Sequence, residues 1–411
     1  MRIRLLALLA STVAGAGCLG SPEPLDVEDA ENAFVDEEAI TRDQLEAADA
    51  TGPLRFKRAC EPGERIHIAA VGDLLLHPTL QRQAYAEGWS SLWGGVTRWL
   101  DDAQVTYGNH EGTAARGVSV DWKLVRDPGR VYDGYVYTGF PKFNYHDSLE
   151  RALRDASFDV VSTANNHALD RGPVGIDRTL AAMNLVGLKH TGTIRAGSSD
   201  PWSARVSRDG FDLRFVACTF STNGISDTQG QVLHCFKNKD KLLSVVRALS
   251  RREDVDAVIV TPHWGAEFSD VPRSQEISLA HDILDSGAVA VLGAHPHVTQ
   301  PWEKYVTRDG RETFVIYSLG NFVSRHDTLT LARRSSLLLY LGLTRGGDGK
   351  AFVNGVTYMP LYMANRNDRW SVVAIDETGG YEDSRERTVG MYGEWNVRAP
   401  GTPLDTTPEC D

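Results

Sequence analysis

The chain has 411 residues, 42% of them apolar, and a formal net charge of −12. That length supports a large core without disulfide or metal staples, and the apolar share excludes a disordered or fibrous chain. The acidic balance and the lack of a dense basic patch exclude a nucleic-acid footprint.

Met1 to Arg4 is basic, Leu5 to Ala14 is a short apolar run, and Gly15-Ala16-Gly17-Cys18 follows. This pattern predicts a secretory signal over residues 1–18, too short to span a membrane. Small residues directly before Cys18 are similar to a bacterial lipoprotein processing site, which would lipidate Cys18. Gly15 departs from the Leu or Val usual in such sites, and plain cleavage beside an incidental Cys18 is the alternative. The expectation is an exported protein, lipid-anchored to a bacterial membrane in the cell envelope. Residues 19–59 read as a disordered acidic tether: between Glu23 and Asp49, eleven acids accompany one base, Arg42.

Residues 60–378 read as the globular domain. Ile66–Val71, Val105–Tyr107, Val160–Thr163, Leu188–Thr191, Val258–Thr261 and Val289–Leu292 have the short apolar form of buried parallel strands. Helical spacing occurs at Thr79–Glu87, Leu92–Asp102, His146–Ala156, Val174–Val186, Lys239–Ser250 and Gln275–Ser286. Residues Gly112–Tyr145 form a long excursion, with a hairpin predicted at Val131–Thr138. Asp209-Gly210 and Asp309-Gly310 mark two further hairpins. Leu337–Leu343, Phe352–Pro360 and Val372–Asp376 read as closing antiparallel strands, and residues 379–411 as a surface tail. The alternation predicts a layered α/β sandwich with mixed sheets and antiparallel strands near the C-terminus. Among the cysteines after Cys18, Cys218 and Cys235 flank a polar loop, and Cys60 and Cys410 could tie the domain's ends together. Two disulfides suit an exported protein; four buried thiols are the alternative.

Five of the apolar runs end abruptly in polar donors: Asp73, Glu111, Asn166-His167, His263 and His295-Pro296-His297. Sites in open α/β sheets lie outside the carboxyl ends of the strands, so one sheet would bring all of these to one rim. Imidazoles mixed with oxygen donors suit a pair of divalent transition metals. On extended backbone the rings of His295 and His297 would point to opposite sides, one toward each ion. His167 is placed to give up a proton, and Asp170 to orient its ring. His77 could reach the ion held by Asp73 only if the chain curls after that residue, since four extended residues span about 13 Å. Each signal alone has a plain structural reading, such as a backbone-bonded histidine or a capping carboxylate. Their joint placement at successive strand ends is what carries weight.

These residues resemble the capsule-synthesis protein A family (CapA, poly-γ-glutamate biosynthesis), a branch similar to the calcineurin-like metallophosphoesterases. The resemblance rests on Val71-Gly72-Asp73, Glu111, Ala164-Asn165-Asn166-His167 with Asp170 and Gly172, and His263-Trp264-Gly265. It continues through Gly293-Ala294-His295-Pro296-His297 and Ile316-Tyr317-Ser318-Leu319-Gly320-Asn321-Phe322. It implies a metallophosphatase-like fold and two divalent ions (Mn, Zn or Fe). Asp73 and His297 would hold one ion, and Asn166, His263 and His295 the other. Glu111 would bridge, His167 would act as the acid, and Asn321 would lie beside the site. Two departures stand out. Leu75 replaces the histidine of the metallophosphoesterase Asp-x-His motif, and Asn109-His110-Glu111 replaces the family's usual Asn-Leu-Glu. A rival alignment on Gly108-Asn109-His110-Glu111 would bring His110 into play, but it strands Asn166-His167 without a role. The implied function is a metal-dependent hydrolase, of phosphoesters before amides, linked to capsule or poly-γ-glutamate-type polymer synthesis. Its partners would be a membrane, an anionic polymer or phosphoester, and membrane capsule synthase components, with no nucleic acid. The alternative is a non-catalytic subunit that binds or exports the polymer.

Overall fold

The computed structural model describes residues 54–407 and Cys410; the signal segment, Cys18 and the tether up to residue 53 lie outside the described residues. In chain order the first half comprises β1 (Arg65–Leu75), α1 (Pro78–Glu87), α2 (Ser90–Trp93), α3 (Thr97–Leu100), β2 (Val105–His110), α4 (Ser148–Asp155), β3 (Val160–Ser162), α5 (Gly172–Val186), β4 (Lys189–Thr191), β5 (Ser203–Arg208) and β6 (Phe211–Thr219). The second half comprises α6 (Lys239–Ser250), β7 (Ala257–His263), α7 (Ser274–Asp285), β8 (Ala290–Leu292), β9 (Thr299–Val306), β10 (Glu312–Leu319), β11 (Asn321–Ser324), α8 (Leu331–Arg334), β12 (Ser335–Arg345), β13 (Ala351–Arg366), β14 (Arg369–Ala374), α9 (Ile375–Thr378) and α10 (Glu382–Tyr392).

The strands form two mixed sheets. One has the order β14-β13-β12-β1-β2-β3-β4, with β11 also paired to β1; the other has the order β5-β6-β7-β8-β10-β9. Strands β1 to β4 are mutually parallel, and β12 to β14 close the first sheet antiparallel, as the C-terminal pattern predicts. In the second sheet, β6, β7, β8 and β10 are parallel, with β5 and β9 as antiparallel edges.

Strand periodicity sorts the side chains into layers. Ile66, Ile68, Ala70, Val105 and Tyr107 face Phe215, Ile259, Leu292 and Ile316 across the gap between the sheets. Tyr107 and Phe215 stack there with ring centroids 5.9 Å apart. The alternate residues Ala69 and Val71 pack outward with Leu80, Leu149 and Leu180 of the covering helices. Val258 and Val260 do the same with Leu242 and Leu279. The result is a helix–sheet–sheet–helix sandwich, with strands hydrophobic on both faces.

Several local expectations are corrected. The expected helix Leu92–Asp102 is two short turns, α2 and α3, interrupted at Gly94-Gly95, where residues of low helix propensity adjoin. No hairpin forms at Val131–Thr138. The excursion is instead held by the isolated bridges Val118–Leu124 and Thr138–Asn144. The segment after Gly379 carries α10, whose Tyr392 donates to Gln300 O at 2.6 Å. Both disulfides form, Cys60–Cys410 and Cys218–Cys235.

Candidate metal centre

The one-sheet rim is also corrected: each sheet supplies half of the cluster. From the first come Asp73 on β1, Glu111 just past β2, and Asn166 with His167 past β3. From the second come His263 at the end of β7, and His295 and His297 past β8. The junction needs close backbone approach. A Cβ at Gly72 would fall 1.8 Å from Gly320 O. With glycine there, Asp73 N–H donates to that same oxygen at 3.0 Å. At Gly320 (φ 69°) the chain leaves the second sheet and enters the first as β11, which sets Asn321 beside Asp73.

The donors converge in two overlapping groups. Around His263 Nε2 lie Asn166 Oδ1 at 3.0 Å, His295 Nδ1 at 3.1 Å and Glu111 Oε1 at 3.6 Å. His297 faces Asp73 Oδ2 at 3.1 Å and Asn321 Oδ1 at 3.0 Å through Nδ1, and Glu111 Oε1 at 3.7 Å through Nε2. Glu111 belongs to both groups. None of Asp73, Glu111, Asn166, His263, His295 and His297 is more than 2% exposed.

His295 and His297 do not lie on extended backbone. Their φ values are 103° and 59°, and both rings turn into the same cluster, with centroids 5.9 Å apart. Left-handed non-glycine residues cost about 1–3 kcal/mol each and cluster at functional sites.

The electrostatics fit bound cations. Burial and the neighbouring imidazoles drive His263 and His295 well below the ordinary histidine range, which favours the neutral rings that metal ligation needs. Burial pushes Glu111 up to about 8, against the pull of His297. Neither Glu111 oxygen has a hydrogen-bond partner. A buried carboxylate left this way loses about 1–3 kcal/mol or more, and a divalent ion between the two histidine groups removes that penalty. The donor set, imidazole with carboxylate and amide oxygen, is that of Mn, Fe or Zn sites.

His167 and Asp170 sit beside this cluster. His167 Nδ1 lies 2.8 Å from Asp170 Oδ2, which also accepts from Phe143 N–H. Burial opposes charge on His167, but Asp170 and then Glu111 outweigh it and raise its pKa above the ordinary value. Arg171, fully buried, donates to Val118 O and Val136 O, and so clamps the 112–145 excursion onto this loop.

Two candidates do not join the cluster. His77 is held apart: a tight turn closes from Leu75 O to His77 N–H at 3.2 Å, and the chain is extended at His77 where α1 begins. Its Nδ1 lies 3.1 Å from Leu75 O, and its ring packs on His326. His110 points to the opposite face of β2 from Asn109, as strand alternation requires, and pairs with Glu150 at 3.0 Å. Sequence reasoning missed Asn109, whose Nδ2 donates to Asp73 Oδ1 at 2.7 Å. It also missed Glu267, four residues past His263 in a loop with no periodic signal. A separate cavity of about 370 Å³ lies at the other end of the parallel strands, lined by Asp101, Arg154, Asp159 and Arg208 among others. Arg154 and Arg208 there both pair with Asp159, and the cavity shares no residue with the centre.

A buried cluster of metal-ligand type, assembled where two α/β sheets meet, defines the class of protein. The family described as bacterial capsule synthesis protein PGA_cap matches residues 67–326, and the chain belongs to it. Two relatives are the capsule biosynthesis protein CapA of Bacillus anthracis (26% identical over 295 residues, 68% of this chain and 64% of that protein) and the PGA biosynthesis protein CapA of Bacillus subtilis strain 168 (31% over 207 residues, 49% and 51%). The match thus spans less than two thirds of either relative's length. Among solved structures, a hypothetical protein from Thermus thermophilus aligns with a TM-score of 0.41 and 18% identity, over 72% of this chain and 98% of that one.

Proposed function

We propose that the protein is an exported, lipid-anchored hydrolase that uses a pair of divalent ions to cleave phosphoesters in the course of making a capsule or poly-γ-glutamate-type polymer. The supporting observation is Glu111, whose two unpartnered oxygens lie between the His263 and His297 groups with the His167–Asp170 pair alongside. Bound divalent ions supply Lewis acidity to a phosphoryl group and to water. The remaining tasks fall to the chain. Asp170 takes the hydrogen bond from His167 Nδ1 and fixes the ring, so that Nε2 carries the proton destined for the leaving oxygen. Phe143, Phe220 and Phe268 place their rings against His167, His295 and His297 and exclude bulk water. The capsule link rests on the names of the Bacillus relatives, and the membrane link on the Cys18 segment.

The test is hydrolysis of bis-p-nitrophenyl phosphate by protein loaded with Mn²⁺ or Zn²⁺. Loaded wild type should turn over, and the chelated protein should not. His167→Asn should keep the metal and lose turnover by about 10²–10⁴-fold. Full metal loading with no hydrolysis of any phosphoester would refute the hydrolase reading and leave a polymer-holding role.

A further inference from the structure

Asp73 is not free to act as a simple ligand. Its Oδ1 accepts from Asn109 Nδ2 at 2.7 Å, and its Oδ2 lies 3.1 Å from His297 Nδ1 and 3.4 Å from His295 N. Asn321 Oδ1 faces the same Nδ1 at 3.0 Å. With two acceptors on one side, His297 donates from Nδ1, which leaves Nε2 as the nitrogen that can face a cation. Metal-ligating histidines commonly donate their other ring nitrogen to a carboxylate in this way. The Nε2 face is where a cation belongs, and two carboxylates look at it: Glu111 Oε1 at 3.7 Å and Glu267 Oε1 at 4.0 Å. Glu267, His295 and His297 form a third ligand group of their own.

The loop bearing Glu267 is built to hold it there. Gly265 (φ 100°) turns the chain after His263-Trp264, and Phe268 (φ 63°) turns it back. Phe268 N–H donates to Pro296 O at 2.8 Å, which fastens the Glu267 loop directly to the His295–His297 loop. The second independent sign of a ligand is Glu111, fully buried with both oxygens unpartnered on the same side of His297.

We infer that Glu267 is a direct ligand of the ion on the His297 side, while Asp73 orients His297 from the outer side. This rests on the metal-centre reading but not on catalysis. Three carboxylates (Asp73, Glu111, Glu267) against two dications leave the filled centre near +1, which suits an anionic substrate. An added carboxylate also makes the His297 ion the harder site, favouring Mn²⁺.

The experiment is Mn²⁺ titration by calorimetry of the chelator-treated full chain, with metal content after dialysis measured by mass spectrometry. Wild type should bind two ions. Glu267→Gln should keep one ion at wild-type affinity and bind the other at least about 100-fold more weakly, since outer-shell changes alone reach 10–100-fold. Glu267→Asp should recover part of that loss. Equal melting temperatures of the chelated wild type and variant confirm that the fold survives. Two unchanged binding events in Glu267→Gln would overturn the assignment while leaving the metal centre intact. Failure of wild type to bind any ion would overturn both. Wild-type binding with no hydrolysis would refute only the hydrolase reading.

Discussion

Glu111→Gln should separate stability from metal binding. In the metal-free protein, Glu111 is 0% exposed, and neither carboxylate oxygen has a partner. An unmet buried polar group costs about 1–3 kcal/mol, more when charged. Glutamine keeps the shape, cannot ionise, and can donate toward Asp73 or a histidine. Above about pH 8, where Glu111 ionises, the chelated variant should therefore be more stable than chelated wild type by about 1–3 kcal/mol, or roughly 1–4 °C in melting temperature for a chain of this size. Ions at about 100 times their dissociation constant should stabilise wild type by about 2.7 kcal/mol per site. Because Glu111 belongs to both donor groups, the variant should lose most of that gain at both sites. The two melting curves should cross: the variant higher in chelator, wild type higher in Mn²⁺. Differential scanning calorimetry in each condition measures this. A chelated variant that melts below chelated wild type, or one that keeps the full wild-type metal shift, would show that Glu111 is not the shared, unmet ligand.

Asp170→Asn should retain both ions and lower turnover by about 10²-fold or more, because the ring of His167 loses its fixed orientation and its charged partner; an unchanged rate would remove the pair from the mechanism. Cys60→Ser should lower unfolding free energy in urea by about 2–5 kcal/mol, since Cys60–Cys410 closes a loop with a sequence separation of 350. His190 gives a pH signature remote from the centre. Burial pushes its pKa down to about 4, whereas the unfolded chain takes up that proton near 6.5. Its contribution is therefore full above about pH 6.5 and lost as pH falls toward 4, by at most about 3 kcal/mol before solvent screening. His190→Gln should flatten that part of the stability–pH curve, and a curve of unchanged shape would contradict the burial.

Strand ends were legible because parallel strands buried on both faces are short apolar runs, and polar residues can follow only where the sheet stops. That logic located Asp73, Glu111, Asn166, His263, His295 and His297 from the chain alone. It could not say that the donors come from two sheets, because β-pairing is non-local: nothing in Phe314–Leu319 reveals that β10 pairs with β8 while β11, one glycine later, pairs with β1. Nor could it find Glu267, which sits in a loop turned by Gly265 and Phe268 and carries no periodicity. His110 shows the limit of motif reasoning. It neighbours Glu111 in sequence, yet strand alternation sends it to Glu150 on the far face. The excursion 112–145 was visible as a long insertion, but one of its anchors is Arg171, a buried guanidinium that donates to Val118 O, Val136 O and the Thr138 hydroxyl, contacts that no sequence pattern reports.

Dividing the cluster between two sheets has a consequence for how the centre and the fold depend on each other. His263, His295 and His297 reach Glu111, Asn166 and Asp73 only when the inner faces of the sheets are docked through Tyr107, Phe215, Ile259 and Ile316. Three irregular points hold the halves in register: the close approach at Gly72, the crossing at Gly320, and the left-handed turns at His295 and His297. Each is unfavourable for an isolated strand and is maintained by the apolar contact behind it. A cation at the junction would tie the same two halves together from the polar side. Apolar burial and metal ligation therefore act on one interface from opposite edges, and changes that loosen the sheet–sheet core should weaken ion binding even when every ligand is intact.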